Sequence, residues 1–272
     1  MTEDLLARIA AALERIAPPP APHADPALHP AYVWRDGGLA AARDFRPLPI
    51  DLLTGIDAQK AIVLDNVRRH ATGLGAHDAL LWGARGTGKS ALVKSAVGAL
   101  QIEGLDVALI EIAAEKIETM PRLFDLIAGV ERAFILFIDD LGFDEGASQG
   151  ARLLRSMLEG GAEARPANAR LYVTANRRHI VARDLKEQDS PINPRDVIDD
   201  KMALADRFGL SIGFHVVDQD HYVAMVGAYA AQYGLAFEPL DAISWATQRG
   251  GRSGRVAWQY VVELAGRQGK AI

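Results

Sequence analysis

The segment Gly83-Ala84-Arg85-Gly86-Thr87-Gly88-Lys89-Ser90 fits the pattern G-x-x-x-x-G-K-[ST] at every fixed position. Its glycines let successive backbone N–H groups turn toward one point. A helix opening at the end of such a loop adds partial positive charge, and together these features suit phosphate oxygens. Lys89 is placed to reach β- and γ-phosphates. The Ser90 hydroxyl, followed by Ala91, is placed to hold Mg²⁺, which takes oxygen ligands. Taken alone, these eight residues predict binding of ATP or GTP. The guanine-reading pattern Asn-Lys-x-Asp is not present, which favours ATP.

A second set of residues lies where hydrophobic runs end. Phe134-Ile135-Leu136-Phe137-Ile138 leads into Asp139-Asp140, about fifty residues after the loop. Carboxylates at the C-terminal end of a buried strand face the crevice where α/β sheets bind ligands. Asp139 is expected to hold Mg²⁺ through water, and Asp140 to orient and polarise an attacking water. The nearby pair Asp144-Glu145 reads as a solvated loop. Leu171 to Ala175 ends in Asn176, either a turn residue or, if its strand lies between the other two, an amide aimed at the γ-phosphate. In Asp206-Arg207-Phe208-Gly209, Arg207 is either half of a surface ion pair or a cation for the transferring phosphoryl group. Arg252 and Arg255 open the last helix and either solvate it or reach back to the phosphates.

These positions require strands and helices in alternation. Apolar runs predict strands at 79–82, 107–112, 133–138, 170–176 and 210–215, with helices at 88–100, 121–130, 148–159 and 196–204. The run at 133–138 is apolar throughout, as a strand buried on both faces should be. The pattern predicts a parallel sheet sandwiched by helices. From residue 217 strands give way to helices at 218–233, 238–248 and 254–267. The expected division is an amphipathic helix (3–16) with a Pro-rich linker in residues 1–30, an α/β nucleotide-binding domain in 31–216, and a small helical lid in 217–272. Residues 18–30 read as poorly ordered, and the first helix as either a packing element or a tethered docking element.

Bulk properties narrow the classes. The chain has 272 residues, 49% of them hydrophobic, and a net charge of -5. That is enough chain for one large domain and a small one, and the charge carries no whole-chain footprint for nucleic acid. With no cysteine, disulfides and thiolate zinc sites are excluded. No apolar run reaches the roughly 20 residues that span a bilayer. The N-terminus lacks the basic start and unbroken apolar stretch of a signal peptide. The expected localisation is cytoplasmic, with no membrane partner.

In this order, the phosphate loop, Asp139-Asp140, Asn176, the Asp-Arg-Phe-Gly arginine and a late Gly-Arg resemble the AAA+ ATPase superfamily over about residues 50–268. More narrowly, Asp139-Asp140-Leu141, Leu158-Glu159-Gly160-Gly161, Thr174 to His179, Asp206 to Leu210 and Ser253 to Gln259 resemble a bacterial family of uncharacterised AAA+ ATPases. That family is close to the replication-initiator and helicase-loader branch. The resemblance implies that Lys89 and Ser90 belong to Walker A, Asp139 and Asp140 to Walker B, and that Asn176 is sensor 1. Arg207 would be an arginine finger given to a neighbouring subunit, and Arg255, or else Arg252, sensor 2. Ile56, within Leu53 to Lys60, would pack against adenine. Many AAA+ proteins carry Glu where this chain has Asp140, and the helix-turn-helix that initiators add after the lid is not expected here.

The implied activity is Mg-ATP hydrolysis in a homo-oligomer, ring or filament, that remodels or loads an unidentified protein or DNA partner. A DNA-handling loader, with Arg177-Arg178-His179 and Arg249, Arg252 and Arg255 as basic candidates, and an ATP-dependent switch with little turnover remain alternatives. A small-molecule kinase is the remaining one.

Overall fold

The computed structural model describes residues 2–16, 23–35, 38–142, 148–160, 164–176 and 206–272. The helix expected at 196–204, Asp144-Glu145, Arg177-Arg178-His179 and the prolines at 18–20 and 22 lie outside the described residues.

One sheet is built from β1 (Ala31–Arg35), β2 (Gly38–Ala41), β3 (Ala79–Gly83), β4 (Val107–Ile112), β5 (Ala133–Ile138), β6 (Ala169–Asn176) and β7 (Leu210–Phe214). Their spatial order is β2-β1-β4-β5-β6-β3-β7. β2 pairs antiparallel with β1 at one edge, and the other pairings are parallel. A parallel sheet must be covered on both faces, and β5 shows how the sequence does it. Phe134, Leu136 and Ile138 point to one core and Ala133, Ile135 and Phe137 to the other. The first core is closed by α4 (Met120–Ile127) and α5 (Ser148–Leu158), through Leu123, Phe124, Leu154 and Met157. The second is closed by α2 (Asp57–Ala71) and α3 (Lys89–Ile102), through Val63, Val67, Leu92, Val93 and Ala96. Phe134 and Phe137 are fully buried, and truncating such a side chain to Ala costs about 3–5 kcal/mol.

Three helices follow the sheet: α6 (Gln219–Gln232), α7 (Pro239–Gln248) and α8 (Gly254–Arg267). They share a third core around Tyr222, Val226, Tyr260 and Val261, against which Leu48 and Leu52 of the body pack. Side-chain caps start two of them. Asp218 accepts from the His221 N–H at 2.8 Å and Ser253 from the Val256 N–H at 3.2 Å. Each such cap contributes about 1 kcal/mol.

The structure corrects the sequence reading in three places. Residues 23–30, expected to be poorly ordered, are tied to the sheet edge: the Ala24 N–H donates to Leu39 O at 2.7 Å, and the Tyr32 hydroxyl to Asp25 O at 2.7 Å. The helix expected at 121–130 ends at Ile127, and a 3₁₀ segment, Ala114–Thr119, leads into it. The strands β1 and β2 and the helix α2 went unpredicted. β1 and β2 are only five and four residues long. In α2 the inward face includes Asn66 and His70 beside Val63 and Val67, which breaks the apolar period. The N-terminal helix α1 (Thr2–Ile16) is present, with Leu5, Leu6, Ile9 and Leu13 exposed.

Candidate functional site

The strand order places β6 between β3 and β5, with Gly83 in register with Asn176 and Ile138 with Val173. The ends of these three strands therefore meet. Gly83 has φ +143°, and a Cβ there would stand 2.2 Å from Phe214 O on β7, so the close approach requires glycine. Gly88 then adopts the left-handed conformation as the N-cap of α3.

The Lys89 ammonium donates to Gly83 O at 2.9 Å and to Ala84 O at 2.7 Å. It is 7% exposed. Burial holds it below its ordinary pKa, the Asp140 and Asp139 carboxylates oppose that shift, and Arg85 adds to it. A buried cation resting on carbonyls fits an incoming anion. The Thr87 hydroxyl donates to Ala84 O and braces the loop. The Ser90 hydroxyl donates to Asp139 Oδ1 at 2.6 Å, bringing two hard oxygen donors together. Among the described residues, no group of three or more His, Asp or Glu side chains is positioned to hold a metal by itself. A cation here would take one carboxylate and one hydroxyl and need phosphate and water for the rest, which suits Mg²⁺.

Asp140 lies just past β5 with φ +52°, the only non-glycine residue at positive φ among the described residues. That conformation favours Asp and Asn over other side chains. The Asp140 N–H donates to Thr174 Oγ1 at 2.8 Å, and Thr174 Oγ1 donates to Asp139 Oδ1 at 2.6 Å. One buried hydroxyl thus links the Asp139 carboxylate to the Asp140 backbone. The Asn176 amide donates to Asp140 Oδ1, and Arg85 Nη2 to Asp140 Oδ2 at 3.2 Å.

Two cavities open here. One, of about 260 Å³, is polar and includes Arg85, Lys89, Ser90, Asp139, Asp140 and Asn176 in its wall. The other, of about 290 Å³, is walled mainly by Leu48, Leu52, Ile56, Met225, Tyr229 and Trp258, with Thr87, Gly88 and Ala91 at the loop side. Gly86, Lys89, Ser90 and Arg255 line both. A phosphate-sized polar chamber joined to an apolar pocket matches a nucleotide's two ends. The lid closes over the loop: the Gly254 N–H donates to Gly86 O at 3.0 Å, and a Cβ on Gly86 would meet Ser253 Cβ at 2.5 Å.

The structure therefore brings Lys89, Ser90, Asp139, Asp140, Asn176 and Arg255 together. Arg252 instead donates to Gln219 at 3.2 Å and lines neither cavity. Arg207 also lines neither. It pairs with Glu159, just past α5, and is held in place by buried Phe208 and by Gly209 packed on His77. Sequence reasoning missed Thr174, hidden in an apolar strand, and the pocket wall of Leu48, Leu52, Met225, Tyr229 and Trp258. One spacing clue existed: Arg255 and Trp258 are three apart on a helix and share a face. Tyr229 packs edge-on against Trp258, ring centroids 5.7 Å apart.

A family model described as "Protein of unknown function (DUF815)" matches residues 27–268. No curated protein matches the sequence. Among solved structures, the chain is similar to the RuvB Holliday junction branch migration motor of Thermotoga maritima. The identity is 15%, over 83% of this chain and 68% of that one, with a TM-score of 0.51. A single-substitution form of that motor matches at 18% identity over 80% of this chain and 64% of that one, TM-score 0.53. The Orc1 protein of Aeropyrum pernix, solved in complex with DNA, matches at 17% identity over 81% of this chain and 65% of that one, TM-score 0.52. The fold is that of AAA+ ATPases: a mostly parallel sheet between helices, followed by a helical lid.

Proposed function

The chain belongs to the DUF815 family of proteins of unknown function, and on that premise we propose that it binds and hydrolyses Mg-ATP at a subunit interface to remodel or load a macromolecular partner. The observation that carries this is the meeting of Lys89, the Ser90–Asp139 pair, Asp140 and Asn176 in one polar chamber that shares its Lys89, Ser90 and Arg255 walls with an apolar pocket.

In this reading residues 31–216 form the nucleotide-binding domain and 217–272 the lid, after an N-terminal segment, 1–30. The base occupies the apolar pocket beside Ile56, Tyr229 and Trp258. The backbone from Gly83 to Ala91 and the Lys89 ammonium take the phosphates. Ser90 and Asp139 would hold Mg²⁺, which neutralises charge on the phosphate oxygens when bound. Asp140 and Asn176 orient water for in-line attack on the γ-phosphorus. Arg255 reads the phosphates from the lid. Arg207 serves a neighbouring subunit's site, in keeping with its place outside both cavities of its own chain.

The test is Asp140→Asn, which keeps the left-handed backbone and the amide-sized side chain. It is expected to bind Mg-ATP within about threefold of wild type and to lose turnover by about 10² or more. Hydrolysis at the wild-type rate would remove Asp140 from the mechanism.

A DNA partner is the second reading. It is favoured by the likeness to a branch migration motor and to a protein solved with DNA bound. Binding to single-stranded DNA that weakens steeply with salt would support it, and equal absence of binding with and without ATP would exclude it.

A further inference from the structure

Resting on the reading of this chamber as an Mg-ATP site, we propose that Arg85 is a γ-phosphate-dependent positioning residue. Before a triphosphate binds, it holds the Asp140 carboxylate. When a triphosphate enters, it transfers to the γ-phosphate and frees Asp140 to engage water.

The geometry supplies both halves of this switch. Asp140 is held from several sides: Arg85 takes Oδ2, Asn176 takes Oδ1, and Thr174 takes the backbone N–H. A carboxylate with a guanidinium on one oxygen offers fewer lone pairs to water. The Arg85–Asp140 contact is long, at 3.2 Å, and its side chains are 79% and 54% exposed. Exposed pairs of this kind are weak. A phosphate presents more charge and matches the planar guanidinium fork through two bonds, so it wins the competition for Arg85.

The loop backbone does not have to move for this exchange. Ala84 O is held by the Thr87 hydroxyl, and Gly86 O by the Gly254 N–H. Arg85 stands between these two anchors with a long, exposed side chain, in the wall of the chamber that also holds Asp140. A nucleoside diphosphate lacks the competing group and leaves Arg85 on Asp140. The pairing therefore keeps Asp140 engaged until a γ-phosphate arrives.

The experiment uses the full chain as wild type, Arg85→Ala and Arg85→Lys. Affinities for Mg-ATP and Mg-ADP are measured by titration calorimetry, and kcat and KM by phosphate release. Arg85→Ala is expected to weaken ATP binding about tenfold or more, the loss of one charge-assisted contact. ADP binding should stay within about twofold. KM should rise while kcat holds within about threefold, because Asp140 Oδ2 is already released in that variant. Arg85→Lys should recover part of the ATP affinity. Equal losses for ATP and ADP, or no loss for ATP, would overturn the role of Arg85 while leaving the ATP site standing. Wild-type chain that binds neither nucleotide would overturn the ATP reading and this inference with it.

Discussion

At the residue scale the site turns on a side chain with no charge. Thr174 is 1% exposed, and its hydroxyl accepts from the Asp140 N–H while donating to Asp139. Removing the hydroxyl leaves a backbone donor unpaired at a left-handed residue and lets Asp139 turn away from Ser90. Thr174→Val keeps the volume and the β-branch, so the sheet should fold with a modest loss of stability. Its ATPase rate is expected to fall about tenfold or more, in line with loss of a hydrogen bond to a charged group, while Thr174→Ser keeps most of it. Steady-state phosphate release with matched thermal melts checks this, and a Thr174→Val enzyme at the wild-type rate would show that Asp139 and Asp140 hold position unaided. Charged and glycine positions were legible because their chemistry forces a residue type and a spacing. Thr174 was not, because a Thr inside Leu171–Asn176 also reads as an ordinary β-branched strand residue.

At the element scale a neutral histidine ties the outer helix to the sheet. His70 on α2 is 5% exposed, and its Nε2 lies 3.2 Å from Phe134 O and 3.1 Å from Asn168 O. Both partners only accept, so Nε2 carries the proton and donates. Burial lowers its pKa from 6.5 to about 4, with Arg170 and, less strongly, Arg165 adding to the shift and the two carbonyls opposing it. The unfolded chain therefore binds the extra proton between those values and the folded chain does not. Stability should fall as pH drops from about 6.5 toward about 4, by on the order of 3 kcal/mol in total. Urea unfolding across that range should show a shallower decline for His70→Gln than for wild type, and parallel curves would reassign the acid sensitivity elsewhere. The same residue explains why α2 was hard to see. Asn66 faces inward too, donating to Tyr172 Oη at 2.6 Å, so half the helix's buried stripe is polar. β5 was plain for the opposite reason, since all six of its residues are buried.

At the scale of the whole molecule one expected component stands apart. Lys89, Ser90, Asp139, Asp140, Asn176 and Arg255 all line the polar chamber, but Arg207, just before the start of β7, pairs with Glu159 and reaches neither cavity. Sequence order implied the finger, but no pattern within one chain can reveal a site that two chains complete. If Arg207 acts across an interface, ATPase rate per subunit rises with protein concentration until assembly saturates. Arg207→Ala subunits keep Lys89 and lack a finger to give, and Lys89→Ala subunits keep the finger and lack a working loop. Each alone should be inactive, a finger being worth roughly 10³–10⁵ in rate. In an equal random mixture, about one site in four pairs an intact loop with an intact finger, by the head-to-tail contact that rings and filaments share. Recovery toward about a quarter of wild-type activity is therefore the expected result. A mixture as inactive as its parents, or a rate per subunit independent of concentration in a monomeric preparation, would place the catalytic cation within the same chain and leave Arg207 a structural residue.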